Sequence, residues 1–421
     1  MKQNIFAGLD LGTTKVCAII AEKKENGGFE ILGFGSAPSE GLNKGLVVNI
    51  TKTAEAIKEA MGKALNKAGL DIREVNVGVA GEHIKIMRHL NYVTINNPDR
   101  EITQDDLDRL RADVKMIPIP EERQIIHIIP EQFTVDNENV VDNPIGMAGS
   151  RLEASHHVVL ATSTALANIR KSVERAGFKV KNYVLQPIAS SISVLDEQET
   201  DLGVALIDIG GGTTDLAIFR DKKIRYTKVI AIAGNQVTND IRESLGIVTA
   251  EAEKLKREFG FAHEGAIIKD EDIFIKRVGA RGNIKIPTSL LTQVISLRMR
   301  ELFDILDKEL IKSGYKSKLN AGIVLTGGGS MLKGCDELAE DVFGVPARIG
   351  YPLEIAPGLS AEIGKPEFAT VVGLIKNIPG EEERESTVEE IEIELEEEEK
   401  PKKESAVSKL FKRIIQFFDE L

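Results

Sequence analysis

Apolar positions along the chain recur with two periods. Alternation, or a short unbroken apolar run, predicts strands at residues 5–11, 16–22, 29–34 and 75–80. Helical spacing at 51–70 puts Ala54, Ile57, Ala60, Met61, Ala64 and Leu65 on one face. Between 82 and 161 the pattern predicts strands at 84–87, 92–95, 123–130 and 157–161 around one helix near 104–116. A helix at 165–176, a strand at 180–186 and a helix at 188–195 follow. From 202 the opening pattern returns. Three strands in a row (204–209, 214–220, 223–233) precede helices at 236–245, 250–259 and 290–313, a strand at 322–326 and a last helix at 367–376. This order predicts an α/β fold.

The return is more than a pattern. Gly8-Leu9-Asp10-Leu11-Gly12-Thr13-Thr14-Lys15 recurs as Leu206-Ile207-Asp208-Ile209-Gly210-Gly211-Gly212-Thr213-Thr214-Asp215, the second copy read as carrying two extra glycines. Each copy ends an apolar strand with Asp, turns on glycine, offers two threonines and enters another strand. Glycine lets backbone N–H groups approach a ligand closely, and those groups with Thr hydroxyls can hold phosphate oxygens. Asp10 and Asp208 at the strand ends can hold Mg²⁺ through water, which this ion keeps. Two such hairpins facing each other would clamp a polyphosphate. Neither copy matches GxxxxGK[ST] or GxGxxG, which excludes P-loop and Rossmann readings. A third cluster, Thr326-Gly327-Gly328-Gly329-Ser330, follows a strand and precedes a helix, where backbone amides would meet an anion or a ribose.

These residues resemble the actin-like ATPase superfamily over residues 4–378. The resemblance implies an actin-like (ribonuclease H-like) fold of two duplicated α/β halves, with MgATP between them. Asp10, Gly12, Thr13, Thr14 and Lys15 match the first phosphate loop. Asp208, Gly210, Gly211, Gly212, Thr213 and Thr214 match the second. Gly327, Gly328, Gly329 and Ser330 match the adenosine loop. Glu251, Lys254 and Lys256 resemble the adenine-side contacts. Gln186 stands where the superfamily orients the attacking water. A neutral amide can position water without acting as a strong base, so the resemblance implies slow hydrolysis at most.

Composition then changes the picture at one place. The 421 residues carry a net charge of −12 with 42% hydrophobic positions, which argues against a general nucleic-acid binder and against whole-chain disorder. Cys17 and Cys335 are too few for a disulfide framework and suit a reducing cytosol. The start of the chain is too short in apolar residues for a signal peptide. Residues 381–404 hold 13 Glu against four basic residues, and so carry −9 of the total. Such a run repels itself and reads as a disordered linker. Beyond it Val407, Leu410, Phe411, Ile414, Phe417, Phe418 and Leu421 share one helical face flanked by Lys409, Lys412 and Arg413. Residues 405–421 span about 25 Å as a helix, short of a ~30 Å hydrocarbon core, so the helix should lie on an anionic lipid surface.

An actin-like body, an insertion in the first half and a tethered amphipathic helix together resemble the FtsA family of bacterial cell-division proteins. Ala233-Gly234-Asn235-Gln236-Val237-Thr238-Asn239-Asp240-Ile241 is similar to that family's Gly-Gly-x-x-x-Thr-x-Asp-Ile, with Ala233 for the first glycine. The resemblance implies self-assembly into filaments and tethering of FtsZ, through its C-terminal tail, to the inner face of the cytoplasmic membrane at the division site. Arg298 and Arg300 fit the place where that acidic tail binds. The expected organisation is a first half at 1–81, 162–201 and 355–380, interrupted at 82–161. The second half is expected at 202–234 and 287–354, interrupted at 235–286. The alternatives are an actin-like pilus-assembly protein and a soluble sugar or acid kinase; neither accounts for the terminal helix.

Overall fold

Strand β1 (Ile5–Leu11) runs antiparallel to β2 (Lys15–Lys23), and β2 to β3 (Phe29–Pro38). Within β2, Val16, Ala18 and Ile20 enter one core while Cys17, Ile19 and Ala21 enter another. Both faces are therefore covered, which is why the strand reads as an unbroken apolar run. After a small ribbon, β4 (Leu42–Asn43) and β5 (Leu46–Val47), helix α1 (Ile50–Ala68) lays its Ile57, Ala60, Met61 and Ala64 face on the sheet. Asn49 caps it by accepting the Lys52 N–H, and Gly69 ends it in the left-handed conformation. Strand β6 (Glu74–Val79) then joins β1 in parallel.

Residues after β6 leave this sheet. Strands β7 (Lys85–Thr94), β8 (Arg123–Val135), β9 (Asn139–Val141) and β10 (Arg151–Thr162), with α2 (Gln104–Lys115), form a separate antiparallel sheet in the order β7-β10-β8-β9. The sequence pattern suggests two strands where β7 is one. The polar residues Arg88, His89 and Asn91 hide its continuity, because β7 is an edge strand whose ladder to β10 runs unbroken from Lys85 to Thr94. The chain returns through α3 (Ser163–Arg175) to β11 (Lys179–Leu185), which pairs with β6. It crosses to the second half by α4 (Gln186–Val194) and α5 (Glu197–Leu202).

The second half repeats the first. Strands β12 (Val204–Ile209), β13 (Thr214–Arg220) and β14 (Lys223–Ile230) form an antiparallel trio. Helices α6 (Gly234–Leu245) and α7 (Thr249–Phe259), the ribbon of β15 (Asp272–Lys276) and β16 (Asn283–Pro287), and α8 (Thr288–Ser313) follow. Then come β17 (Ile323–Thr326), α9 (Cys335–Phe343) and β18 (Ala347–Ile349), with both strands parallel to β12. The two main sheets read β3-β2-β1-β6-β11 and β14-β13-β12-β17-β18, the same order and the same mixture of directions. Helix α10 (Ser360–Ile363) and helix α11 (Ala369–Lys376) close the chain back onto the first sheet, with Val371, Val372 and Ile375 against Cys17 and Ile19.

This computed structural model describes residues 4–24, 28–97, 99–276, 282–353 and 360–376. The linker at 381–404 and the amphipathic helix at 405–421 lie outside the described residues. Among the described residues no helix is long and apolar enough to cross a membrane.

Candidate functional site

The two hairpins superpose residue for residue. Asp10 faces Cys17 and Leu11 faces Val16; Asp208 faces Asp215 and Ile209 faces Thr214. Each turn is closed by its first glycine, Gly12 N–H to Lys15 O at 3.0 Å and Gly210 N–H to Thr213 O at 2.9 Å. The turns have equal length, which corrects the reading of two extra glycines. Cross-strand register makes Gly211 and Gly212 the counterparts of Thr13 and Thr14. A side-chain carbon at Gly211 would overlap Thr14, and one at Gly212 would overlap Thr13. The hairpins therefore face each other in contact, with side chains on one and bare backbone on the other.

Three carboxylates stand at the base of this pair. Gln186, the first residue of α4, donates its amide N–H to Asp10 Oδ1 at 2.8 Å. Asp208 Oδ2 accepts from Ser190 Oγ at 2.6 Å and from Thr370 Oγ1 at 3.2 Å. Asp215 is buried, and its Oδ1 has no hydrogen-bond partner. Burial, and then the nearby Asp208 charge, push the Asp10 carboxyl up to about 7, while Lys15 pulls it back. Burial also raises Asp208, against the hydroxyls of Ser190 and Thr370 and the charge of Lys15. Burial, Asp208 and Asp10 hold Asp215 well above the usual carboxylate range. Buried Asp208 and Asp215 beside half-buried Asp10, with the Asp208 charge raising the other two and one Asp215 oxygen unpartnered, fit a site completed by a divalent cation. Among the described residues no three acidic, His or Cys side chains converge closely enough to ligate an ion directly. Asp215 was not among the sequence candidates. Its signal was its place in the repeat, directly across the ladder from Asp208.

The third glycine cluster packs beneath the second hairpin. Gly327, at φ +82°, lies where a Cβ would strike Asp208 and Ile209, and one at Gly329 would strike Ile209. Residues 328–331 form a single 3₁₀ turn, and α9 begins only at Cys335. The cluster does precede a helix, as expected, but its amides open this short turn and not α9 itself. Ser330 is buried and spends its hydroxyl on Gly327 O at 2.8 Å.

Helix α7 presents one face to the second hairpin. Lys256 is buried and donates to Gly234 O at 3.1 Å and Thr238 Oγ1 at 2.8 Å, with Glu253 at 2.6 Å. Lys254 is exposed, two residues or about 200° round the helix, and Glu251 is half-buried. The inward pair is Glu253–Lys256, which sequence spacing alone did not separate from Glu251–Lys254. The motif from Ala233 to Ile241 serves the same hairpin. Gly234 N–H reaches Gly210 O at 3.0 Å and Asn235 N–H reaches Gly211 O at 2.8 Å. Its Asp240 pairs with Arg298, whose guanidinium also meets Glu301. Arg298 is thus charge-compensated within the protein, while Arg300 is exposed. The candidate lipid-facing residues from Val407 to Leu421 lie outside the described residues.

The inserted sheet reaches the site as well. His127 of β8 accepts the Leu185 N–H through Nε2 at 3.0 Å, one residue before Gln186. Burial keeps this ring neutral, its pKa down to about 4.

A duplicated sheet with two opposed hairpins and acidic strand ends is the actin-like ATPase fold. Two solved structures share it: the PilM–PilN type IV pilus biogenesis complex (TM-score 0.62, 21% identity, 88% of this chain and 97% of that one) and MreB5 of Spiroplasma citri bound to AMPPNP (TM-score 0.54, 15% identity, 89% and 95%). Residues 205–373 match the family described as "Cell division protein FtsA", and residues 81–160 match "SHS2 domain inserted in FTSA". The "Cell division protein FtsA" of Pseudomonas aeruginosa is 41% identical over 371 residues, 88% of each chain. The chain belongs to the FtsA family of cell-division proteins.

Proposed function

We propose that this actin-like cell-division protein binds MgATP between its halves, polymerises, and tethers FtsZ filaments to the cytoplasmic face of the membrane at the division site. The observation that carries the nucleotide reading is the pair of facing hairpins over Asp10, Asp208 and Asp215. In this reading the turn amides and the hydroxyls of Thr13, Thr14 and Thr213 hold phosphate oxygens. Asp10, Asp208 and Asp215 order the water shell of Mg²⁺, which neutralises phosphate charge when bound. The 327–330 turn and the Glu253–Lys256 pair line the nucleoside side. Gln186, anchored by its N–H on Asp10, keeps its carbonyl oxygen to orient water. Its neutral amide can position water without acting as a strong base, so any hydrolysis is slow.

Self-assembly and tethering rest on family membership and on the sequence outside the described residues. The exposed Arg300, more than the compensated Arg298, is the charge left to attract an acidic tail. The 405–421 helix supplies the lipid contact, on a self-repelling acidic leash. Electron microscopy of the full chain on an anionic lipid monolayer with MgATP tests this reading. Filaments lying on lipid, lost on deletion of residues 405–421, are expected. Filaments that still coat the monolayer after that deletion would overturn the anchor.

A further inference from the structure

The turn before the last helix touches all three loops of the cleft. Glu367 Oε2 lies 2.6 Å from Lys15 Nζ of the first hairpin, across 352 residues of sequence. The same ammonium sits 3.8 Å from the centre of the Phe368 ring. Thr370 donates to Asp208 at the base of the second hairpin, 3.2 Å away. Pro366 O accepts from the Gly327 N–H at 3.2 Å and from Thr326 Oγ1 at 3.3 Å. Both partners of the Lys15–Glu367 pair are sheltered, their side chains 25% and 18% exposed. The pair is therefore better protected from solvent screening than a surface ion pair.

Lys15 is the cation that opposes the Asp10 and Asp208 charges, and it is folded back onto a carboxylate of its own chain. A lysine ammonium is a point charge with three donors, so it can exchange one anion for another without a fixed geometry. We propose that Glu367 is an internal counter-ion that holds Lys15 until a nucleotide phosphate replaces it. Residues 366–370 and α11 then report whether the cleft is filled. The inference rests on the cleft being a MgATP site. Phosphate and Glu367 compete for Lys15, so nucleotide binding loosens Glu367 and frees the start of α11, the last helix of the described residues. Thr370 adds a second link through its hydrogen bond to Asp208, a carboxylate that would order the water of a bound cation.

The test uses the full chain and titration calorimetry with Mg²⁺ and ADP or ATP. Glu367→Gln keeps the shape and removes the competing charge, and should tighten nucleotide binding about three- to tenfold. Lys15→Met should weaken binding, and in the Lys15→Met, Glu367→Gln double variant the gain should vanish, because the carboxylate acts through that lysine. Hydrogen exchange gives a second readout. In the wild type, MgADP should speed exchange at amides 367–372, and in Glu367→Gln those amides should exchange quickly with or without it. Equal or weaker nucleotide affinity in a folded Glu367→Gln protein overturns the proposal, as does wild-type exchange at 367–372 that ignores nucleotide. A wild-type chain that binds no MgATP defeats the site reading itself, which separates the two failures.

Discussion

Acidification should unfold this protein in part through His127. The ring accepts the Leu185 N–H from a neutral, partly buried position. Its pKa falls from 6.5 in the unfolded chain to about 4 in the folded one. A base with a depressed folded pKa stabilises the fold above the unfolded pKa and loses that contribution as pH falls towards the folded one. Between pH 7 and 4.5 the loss is about 2–3 kcal/mol for this one ring, at 1.36 kcal/mol per pH unit per proton. His83 and His156, also held near 4 by burial, add slopes of the same sign. His127→Phe separates the one ring from the others. At pH 7 the variant should be less stable by about 1–3 kcal/mol, because the buried Leu185 N–H loses its acceptor. It no longer takes up a proton on unfolding at that site, so the deficit should shrink to near zero by pH 4.5. Urea unfolding followed by circular dichroism at half-unit steps from pH 7 to 4.5 measures both effects. Two parallel stability curves would refute the reasoning, because they would mean that His127 titrates normally in the folded protein.

Three further outcomes follow from the cleft. Asp208→Ala should weaken MgATP binding at least tenfold in calorimetry while leaving the fold intact, since Ser190 and Thr370 can still bond each other at 3.0 Å; unchanged affinity would defeat the cation reading. Gly211→Ala should cost about 1–3 kcal/mol by overpacking against Thr14, with a lower melting temperature, and Thr14→Gly on the same chain should recover part of it; a silent Gly211→Ala would mean the hairpins do not touch. Arg300→Glu should weaken co-sedimentation with FtsZ filaments at unchanged thermal stability, whereas Arg298→Glu should also destabilise the fold by breaking its Asp240 and Glu301 pairs. Full co-sedimentation of Arg300→Glu would place the contact elsewhere.

The sequence by itself determined much of this protein, because the repeat is written in local patterns. Strand and helix periods follow from which faces are covered, and both copies of the hairpin carry their aspartate and glycine within a few residues. Gln186 came from the resemblance to the actin-like superfamily, carried by those motifs. The amphipathic tail and acidic leash remain expectations that rest on composition and period alone, outside the described residues. What only the tertiary structure decided is relational. The turns proved equal in length because register is set by hydrogen bonds across the ladder. Glycines replace threonines in the second turn because the first turn presses on it. Glu253 and Lys256 turn onto α6 while Lys254 faces solvent because helix phase is set by packing on α6 and α8, and charged residues at 251, 253, 254 and 256 leave the sequence ambiguous. Arg298 is neutralised by Asp240, 58 residues away, and Lys15 by Glu367, 352 residues away. An ion pair between distant segments leaves no local pattern: the energy that selects it exists only once the backbone has brought the two charges together and excluded the water between them.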